Sequence, residues 1–398
     1  MTPSLSVVKE LARTYHAETV AFRRHLHAHP ELSGEEEQTA AFVAHTLQKM
    51  GLEPRVGVGG HGVVVDIRGN DPEGGCVALR ADMDALPLTE LNDVPYASRV
   101  KGVMHACGHD AHTAILLGVA RIITAAQEGF RGTLRLLFQP SEERYPGGAL
   151  PMINDGALEN PSPDLVFGVH VSPEIPSGKL GIRPGPFMAS TDEVYLTVHG
   201  KGGHAATPHL NIDPVVIQAQ IVTALQQIAS RFAPPDVPTL LSFGKVIADG
   251  QMNVIPDTVT LDGTFRTYHE GWRKQAHQLI KQIASKTAES AGGTCTVRIE
   301  NGYPVLVNHP EASALAINLA KQYLGDEQVI HIPQRMTGDD FAYFAAQRPA
   351  CFIRIGTGNE KKGIVANLHT PQFNIDERSL EAATGAMAWI ATEALNSL

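Results

Sequence analysis

The chain has 398 residues, 43% of them hydrophobic and 19% charged, with a formal net charge of −10. That length suits two domains better than one core, and the balance is that of a globular rather than a disordered protein. The acid excess, with no basic run or stripe, argues against a nucleic-acid partner. Apolar runs such as AILLGVA stop well short of the ~20 residues a bilayer span needs, so no membrane partner is expected. The start MTPSLSVVKELAR has neither the basic opening nor the apolar stretch of a secretory signal, which points to a cytoplasmic protein. Cys76, Cys107, Cys295 and Cys351 are widely spaced and form no disulfide framework.

In chain order, Ser33 followed by Glu36 reads as a capping box opening a helix that Gly51 closes. VVVDIRG, CVALRADM, TLRLLFQ and DLVFGVHV are short β-branched or apolar runs, hence strands. Helical stretches lie between them, notably after His109. This alternation predicts an α/β fold with a mostly parallel sheet and helices on both faces. At RPGPF, around Pro184 to Phe187, the pattern changes. EVYLTVHGKGGHA alternates apolar and polar residues, and one long helix, PVVIQAQIVTALQQIASRF, follows. Strands through LLSFGKVI and VTLDGTFRT, a helix from Trp272 to Glu289 and a strand at TCTVRIE complete the order β-α-β-β-α-β. That order suggests a small ferredoxin-like α+β domain inserted into the larger one. After about residue 300 the first pattern resumes, with CFIRIG as a strand and a closing helix from Glu377. The expected division is therefore 1–186, an insertion at 187–299, and 300–398.

The densest chemical signal is HACGHDAH, residues 105–112. Cys107 and His109 stand two apart, so in an extended segment their side chains face the same way, and thiolate and imidazole are good ligands for zinc and related ions. The plain alternative is a buried cysteine beside ordinary histidines, and CxH alone would favour it. The second signal is Glu142-Glu143, just past a predicted strand, where α/β enzymes place their sites. Such a pair usually decorates a solvated turn. At a strand end, one carboxylate can hold a metal while its neighbour moves a proton. Asp82 and Asp84 in ALRADMDALP also follow a strand and suit a metal or a supporting role behind one. His170 and His369 sit in strand-end or loop positions. His25, His27 and His29 alternate through what reads as a helix end, where they do not converge, so a structural role is expected of them.

Taken together, HAHPELSGEE, ALRADMDALP, MHACGHDAHTA, QPSEE, GHAATPH, MNVIPD and GDDFAYF, in this order, resemble the M20 metallopeptidases over nearly the whole chain. The resemblance is to their amidohydrolase branch of hippurate hydrolases, auxin-conjugate hydrolases and N-acyl-amino-acid deacylases. It implies an α/β catalytic domain with an inserted lid, and hydrolysis of the amide bond of an N-acyl amino acid. It also implies two divalent ions (zinc, manganese, cobalt or nickel) on Cys107, His109, Glu143, His170 and His369. Asp84 matches an aspartate that orients a ligand, Glu142 the general acid/base, and His204 a histidine that polarises the substrate carbonyl. Asn253 and Arg266 match residues that grip the substrate carboxylate. In many members the histidine reaches across a dimer, so the resemblance allows a homodimer or higher homo-oligomer through the lid. A dipeptidase or aminopeptidase of the same family is the rival activity. A metal-binding protein without catalysis would be expected to lack Glu142, and a zinc nucleobase deaminase would carry a PCxxC signature, absent here.

One departure stands out. Relatives follow the glutamate pair with glycines, whereas this chain has Arg144-Tyr145-Pro146 before Gly147-Gly148, bulk expected to narrow or reshape an acyl pocket. Cys107 is also expected to be an exposed thiolate, sensitive to oxidation when metal is removed.

Overall fold

Residues 3–126 and 129–398 are described by the computed structural model. Within them the apolar runs become the strands of an eight-stranded sheet. Its first segments are helix α1 (Leu5–Ala28), α2 (Glu37–Lys49), β1 (Arg55–Val58), β2 (Gly62–Arg68), β3 (Asp71–Asp82), α3 (His109–Ala125), β4 (Arg131–Gln139), β5 (Leu165–Pro176) and β6 (Leu180–Ile182). The smaller unit contributes β7 (Asp192–His199), α4 (Pro214–Leu225), β8 (Thr239–Ile247), β9 (Thr258–Thr267), α5 (Glu270–Ser290) and β10 (Thr294–Asn301). The chain then returns with α6 (Pro310–Leu324), β11 (Val329–His331), β12 (Ala350–Gly358) and α7 (Ser379–Ser397).

The large sheet runs β1-β2-β4-β3-β5-β12-β6-β11. Its centre, β4-β3-β5-β12, is parallel throughout. Antiparallel pairs occur at β1-β2, β2-β4 and β6-β12. All nine residues of β12 are buried, as expected of a strand covered on both faces. Helices α3 and α7 pack on the central strands, and α1 packs on both. Among the described residues no helix is long and apolar enough to cross a membrane.

Two compact units result: Met1–Gly185 with Val307–Pro333 and Asp340–Leu398, and Pro186–Leu306 with Gln334–Asp339. In the second, the strand order β8-β9-β7-β10 is antiparallel throughout. Val194, Leu196 and Val198 face its core, against Trp272, Ala276, Ile280, Ala284 and Ala288 spaced one turn apart on α5. The expected single helix over PVVIQAQIVTALQQIASRF is interrupted: α4 stops at Leu225, and a π-helical turn, Ile228–Phe232, follows. Pro234 and Pro235 deny the chain the N–H groups a further turn needs.

The capping box at Ser33 and Glu36 does not form either. Helix α2 begins at Glu37 with no side-chain cap. Ser33 Oγ donates instead to Asp84 (2.6 Å) and Glu36 accepts from Gly34 N (2.9 Å) and Ser141 N (2.7 Å). A long-range carboxylate and a long-range N–H outcompete the local pairing. Gly51 does close the helix, at φ +82°, a conformation that favours glycine.

Candidate metal centre

β3 ends at Asp82, in register with Gln139 at the end of β4. His170, expected at a strand end, instead lies inside β5, in register with Arg354 on β12, because that strand continues to Pro176. Gly108, at φ +85°, caps α3 and turns the chain so that Cys107 precedes the helix and His109 opens it. A Cβ on Gly108 would lie 2.4 Å from Val171 Cγ2, so both backbone conformation and space require glycine here.

Around this turn the donor atoms converge. Cys107 Sγ lies 3.4 Å from His170 Nε2 and 3.2 Å from His369 Nε2. Glu143 Oε1 lies 3.2 Å from His369 Nε2 and 3.8 Å from His109 Nε2. Three sets of donors each fall within 4.8 Å: Cys107, His109 and His170; Cys107, Glu143 and His369; and His109, Glu142 and Glu143. Cys107, His109 and Glu143 each belong to two of these sets, so the three clusters form one continuous group of donors.

The outer hydrogen bonds fix which nitrogen each ring offers. His109 Nδ1 is bonded to Asp84 Oδ1 at 3.1 Å, and His170 Nδ1 donates to the Val171 carbonyl at 2.7 Å. Each Nε2 is thereby left to the centre of the cluster, the arrangement metal-binding histidines use. His109 Nε2 is buried with no hydrogen-bond partner, which a cation would resolve. Asp82, His109 and His112 also cluster, but both His112 nitrogens are spent. Val171 N donates to Nε2 at 2.8 Å, and Nδ1 donates to Asp82.

The electrostatics ask for positive charge. Burial disfavours a charged His109, yet Asp82, Asp84 and Glu143 raise it to about 10. For Cys107, burial and then the charges of Glu143 and Glu142 push the thiol well above its ordinary range. Burial and then Arg354 keep His170 neutral. Cys107 is only 6% exposed, so the expectation of an exposed, readily oxidised thiolate is corrected. The neutral buried thiol is a poor nucleophile, and only a bound cation would hold the thiolate here. These residues fit a pair of divalent ions.

Backbone strain gathers at the same place. Only Ser141, Asn160 and His369 combine a side chain with positive φ among the described residues; His369 is one of these donors and Ser141 directly precedes Glu142. Asp84 Oδ2 accepts from Glu143 N at 2.9 Å while Oδ1 holds His109, tying the two donor segments together. Arg144, Tyr145 and Pro146 are exposed. The glycines after them are buried, and a Cβ on Gly147 would lie 2.4 Å from Asp340 Oδ2.

Sequence reasoning gave no individual role at this site to Arg80, Asp340, His112 or Glu36. Fully buried Arg80 donates to Gln139 Oε1, Asp82 Oδ2 and Asp340 Oδ1 at 2.5–2.7 Å, bracing Asp82 from behind. An arginine inside the apolar run ALRAD was the available signal, since a buried cation needs carboxylates. His27 proves structural, as expected: its nitrogens meet Asp110 (2.7 Å) and Glu90 (3.0 Å), and Asp110 sits in the first turn of α3. His25 and His29 are exposed.

His204, Asn253 and Arg266 lie in the smaller unit. A two-residue ladder pairs His204 with Val254, and Ala205 N donates to the Asn253 carbonyl at 3.0 Å, so His204 and Asn253 are neighbours. Both are exposed. Arg266, on β9, donates to the Met336 carbonyl at 2.9 Å.

Comparison with known proteins gives a consistent result. The family model described as peptidase family M20/M25/M40 matches residues 78–393. The chain is similar to an N-acyl-L-amino acid amidohydrolase of Geobacillus stearothermophilus, 43% identical over 76% of this chain and 81% of that protein. It is similar to thermostable carboxypeptidase 2 of Saccharolobus solfataricus, 40% identical over 95% of each. Among solved structures it resembles the Bacillus subtilis YXEP protein, described as a dinuclear metal binding peptidase, with TM-score 0.84 and 32% identity, covering 97% of this chain and 100% of that one.

Proposed function

The chain belongs to peptidase family M20/M25/M40, and from that premise we propose that it hydrolyses the amide bond of N-acyl amino acids to a carboxylic acid and a free amino acid. The observation that carries this reading is Glu142, buried to 7% exposure beside a cluster of five donors. Cys107, His109, Glu143, His170 and His369 are the proposed ligands of two divalent ions. Thiolate and imidazole suit zinc, while manganese, cobalt or nickel take the same donors where they are more available. When bound, the ions supply Lewis acidity that brings the pKa of water from ~15.7 toward 7.

Glu142 takes the proton of the attacking water, then returns it to the departing amine as general acid. Asp84 keeps the Nε2 of His109 turned to the centre. On their chemistry, His204 is the proposed donor to the carbonyl oxygen, a role commonly worth ~2.7–4 kcal/mol. Asn253 and Arg266 are the proposed carboxylate-binding pair, the guanidinium giving an acidic protein the local positive charge an anionic substrate needs. The carboxypeptidase among the relatives fits the same chemistry, since a peptide is an acyl group on its last residue. All four cysteines are free, in keeping with a cytoplasmic setting. Val246 and Ile247 on the edge strand β8 are 48% and 46% exposed, which supports a homodimer through the smaller unit; sedimentation velocity reads it.

The test is Glu142→Gln, assayed on N-acetyl, N-benzoyl and indole-acetyl amino acids and on unblocked dipeptides. Metal content should be unchanged and turnover lower by at least the ~10²–10⁴-fold of lost acid–base catalysis. Near-normal turnover would remove Glu142 from its role. A wild type that cleaves only unblocked dipeptides would shift the assignment to a dipeptidase.

A further inference from the structure

We infer that Glu36 is a positioning residue for Glu142, holding the backbone of Ser141 in the left-handed conformation from which Glu142 projects. The inference rests on the reading of Glu142 as the base.

Glu36 is fully buried, 105 residues before the segment it holds. Its Oε1 accepts from Ser141 N at 2.7 Å and from Ser141 Oγ at 3.2 Å, and its Oε2 accepts from Gly34 N at 2.9 Å. It stands at the N-cap position of α2 yet makes no capping bond to that helix. Two of its three hydrogen bonds therefore go to the residue before Glu142, the third to Gly34, and none to the first turn of the helix.

Ser141 has φ +56°, a conformation costly for any residue with a side chain and maintained only where surroundings over-determine it. A buried carboxylate on its N–H is the kind of strong, charge-assisted acceptor that can do so. One residue past Glu142, Glu143 N is held in the same way by Asp84 Oδ2 at 2.9 Å, and Asp84 Oδ2 accepts from Ser33 Oγ at 2.6 Å. The turn Ser33–Glu36 thus secures both ends: Glu36 grips the residue before Glu142 directly, and Ser33 grips the residue after it through Asp84. On the other side, a Cβ on Gly148 would lie 1.9 Å from the Pro140 carbonyl oxygen, so the chain just before Ser141 packs directly against the Gly148 backbone. Burial raises the pKa of Glu36, with the Asp84 charge adding to it; a carboxylate kept in such a place needs partners that justify it.

The experiment compares Glu36→Ala, Glu36→Gln, Ser141→Gly and the Glu36→Ala/Ser141→Gly pair as metal-loaded enzymes on an N-acetyl amino acid, with Glu142→Gln alongside. Glu36→Ala should lower kcat by about 10–100-fold, the cost of an ångström-scale misplacement, with KM and metal content nearly unchanged. Adding Ser141→Gly should restore part of that loss, because glycine takes positive φ without being held. Glu36→Gln, which retains one acceptor oxygen, should fall between wild type and Glu36→Ala, and it carries the test if the alanine variant does not fold. Wild-type kcat in Glu36→Ala, or a loss that tracks metal content and that Ser141→Gly does not relieve, overturns the inference. If Glu142→Gln is inactive while Glu36→Ala is normal, only the positioning role fails. An active Glu142→Gln removes both readings.

Discussion

Around Cys107 the side chains compete over charge. The thiol sits among Glu142, Glu143 and Asp82, and burial and these carboxylates keep it protonated. A cation must displace that proton, so binding releases it and affinity rises with pH. Cys107→Ser replaces the proposed thiolate ligand by a hydroxyl that stays neutral. Metal affinity should fall by more than the ~10–100-fold that loss of an outer-shell partner costs, as measured by competition with a chelator. Unchanged metal content would count against the whole cluster. The exposed thiolate read from HACGHDAH was wrong because exposure belongs to what packs over a segment, and a local motif carries no record of that.

At the next scale, strand ends and helix starts set where the donors point. Strand β3 delivers Asp82 and Asp84, β4 delivers Glu142 and Glu143, and the Gly108 turn delivers Cys107 and His109. Gly108→Ala puts a Cβ against Val171 in a left-handed backbone, at a conformational cost of ~1–2 kcal/mol before the contact is counted. We expect a lower unfolding midpoint together with sub-stoichiometric metal, read by calorimetry and elemental analysis. A stable, fully loaded variant would show that the turn is not what aligns the two residues. The strands were legible as apolar runs. The capping box at Ser33 was not, because its residue types were right but their partners lay 51 and 105 residues away.

For the molecule as a whole, each unit carries its own buried charge network. In the smaller one Asp192 receives Arg273 and His277 at 2.5–3.2 Å. Burial would raise the pKa of Asp192, but His277 and Arg273 outweigh it and hold the group below its ordinary value. A depressed carboxylate stabilises the fold above its unfolded pKa of ~3.9, and that contribution is lost as pH falls through the folded value. Asp192→Asn should cost about 3–5 kcal/mol at pH 7, as when one partner of a buried pair is removed. The gap between variant and wild type should narrow in urea titrations repeated below pH 4; a constant gap would contradict the assignment.

By itself the sequence determined the central strands of the large sheet, the β-α-β-β-α-β order of the smaller unit, and the family through motifs such as MHACGHDAHTA. It also singled out Cys107, His109 and the glutamate pair, because alternation, helical period and short ligand spacings are local and survive in one dimension. Tertiary structure alone decided that Glu36 holds Ser141, that Arg80 and Asp340 brace Asp82, that His112 supports while His109 faces the centre, and that Gln334–Asp339 joins the smaller unit. Those outcomes turn on burial and on partners brought together from distant segments. The penalty for an unpaired buried charge is levied only once the chain has closed around it.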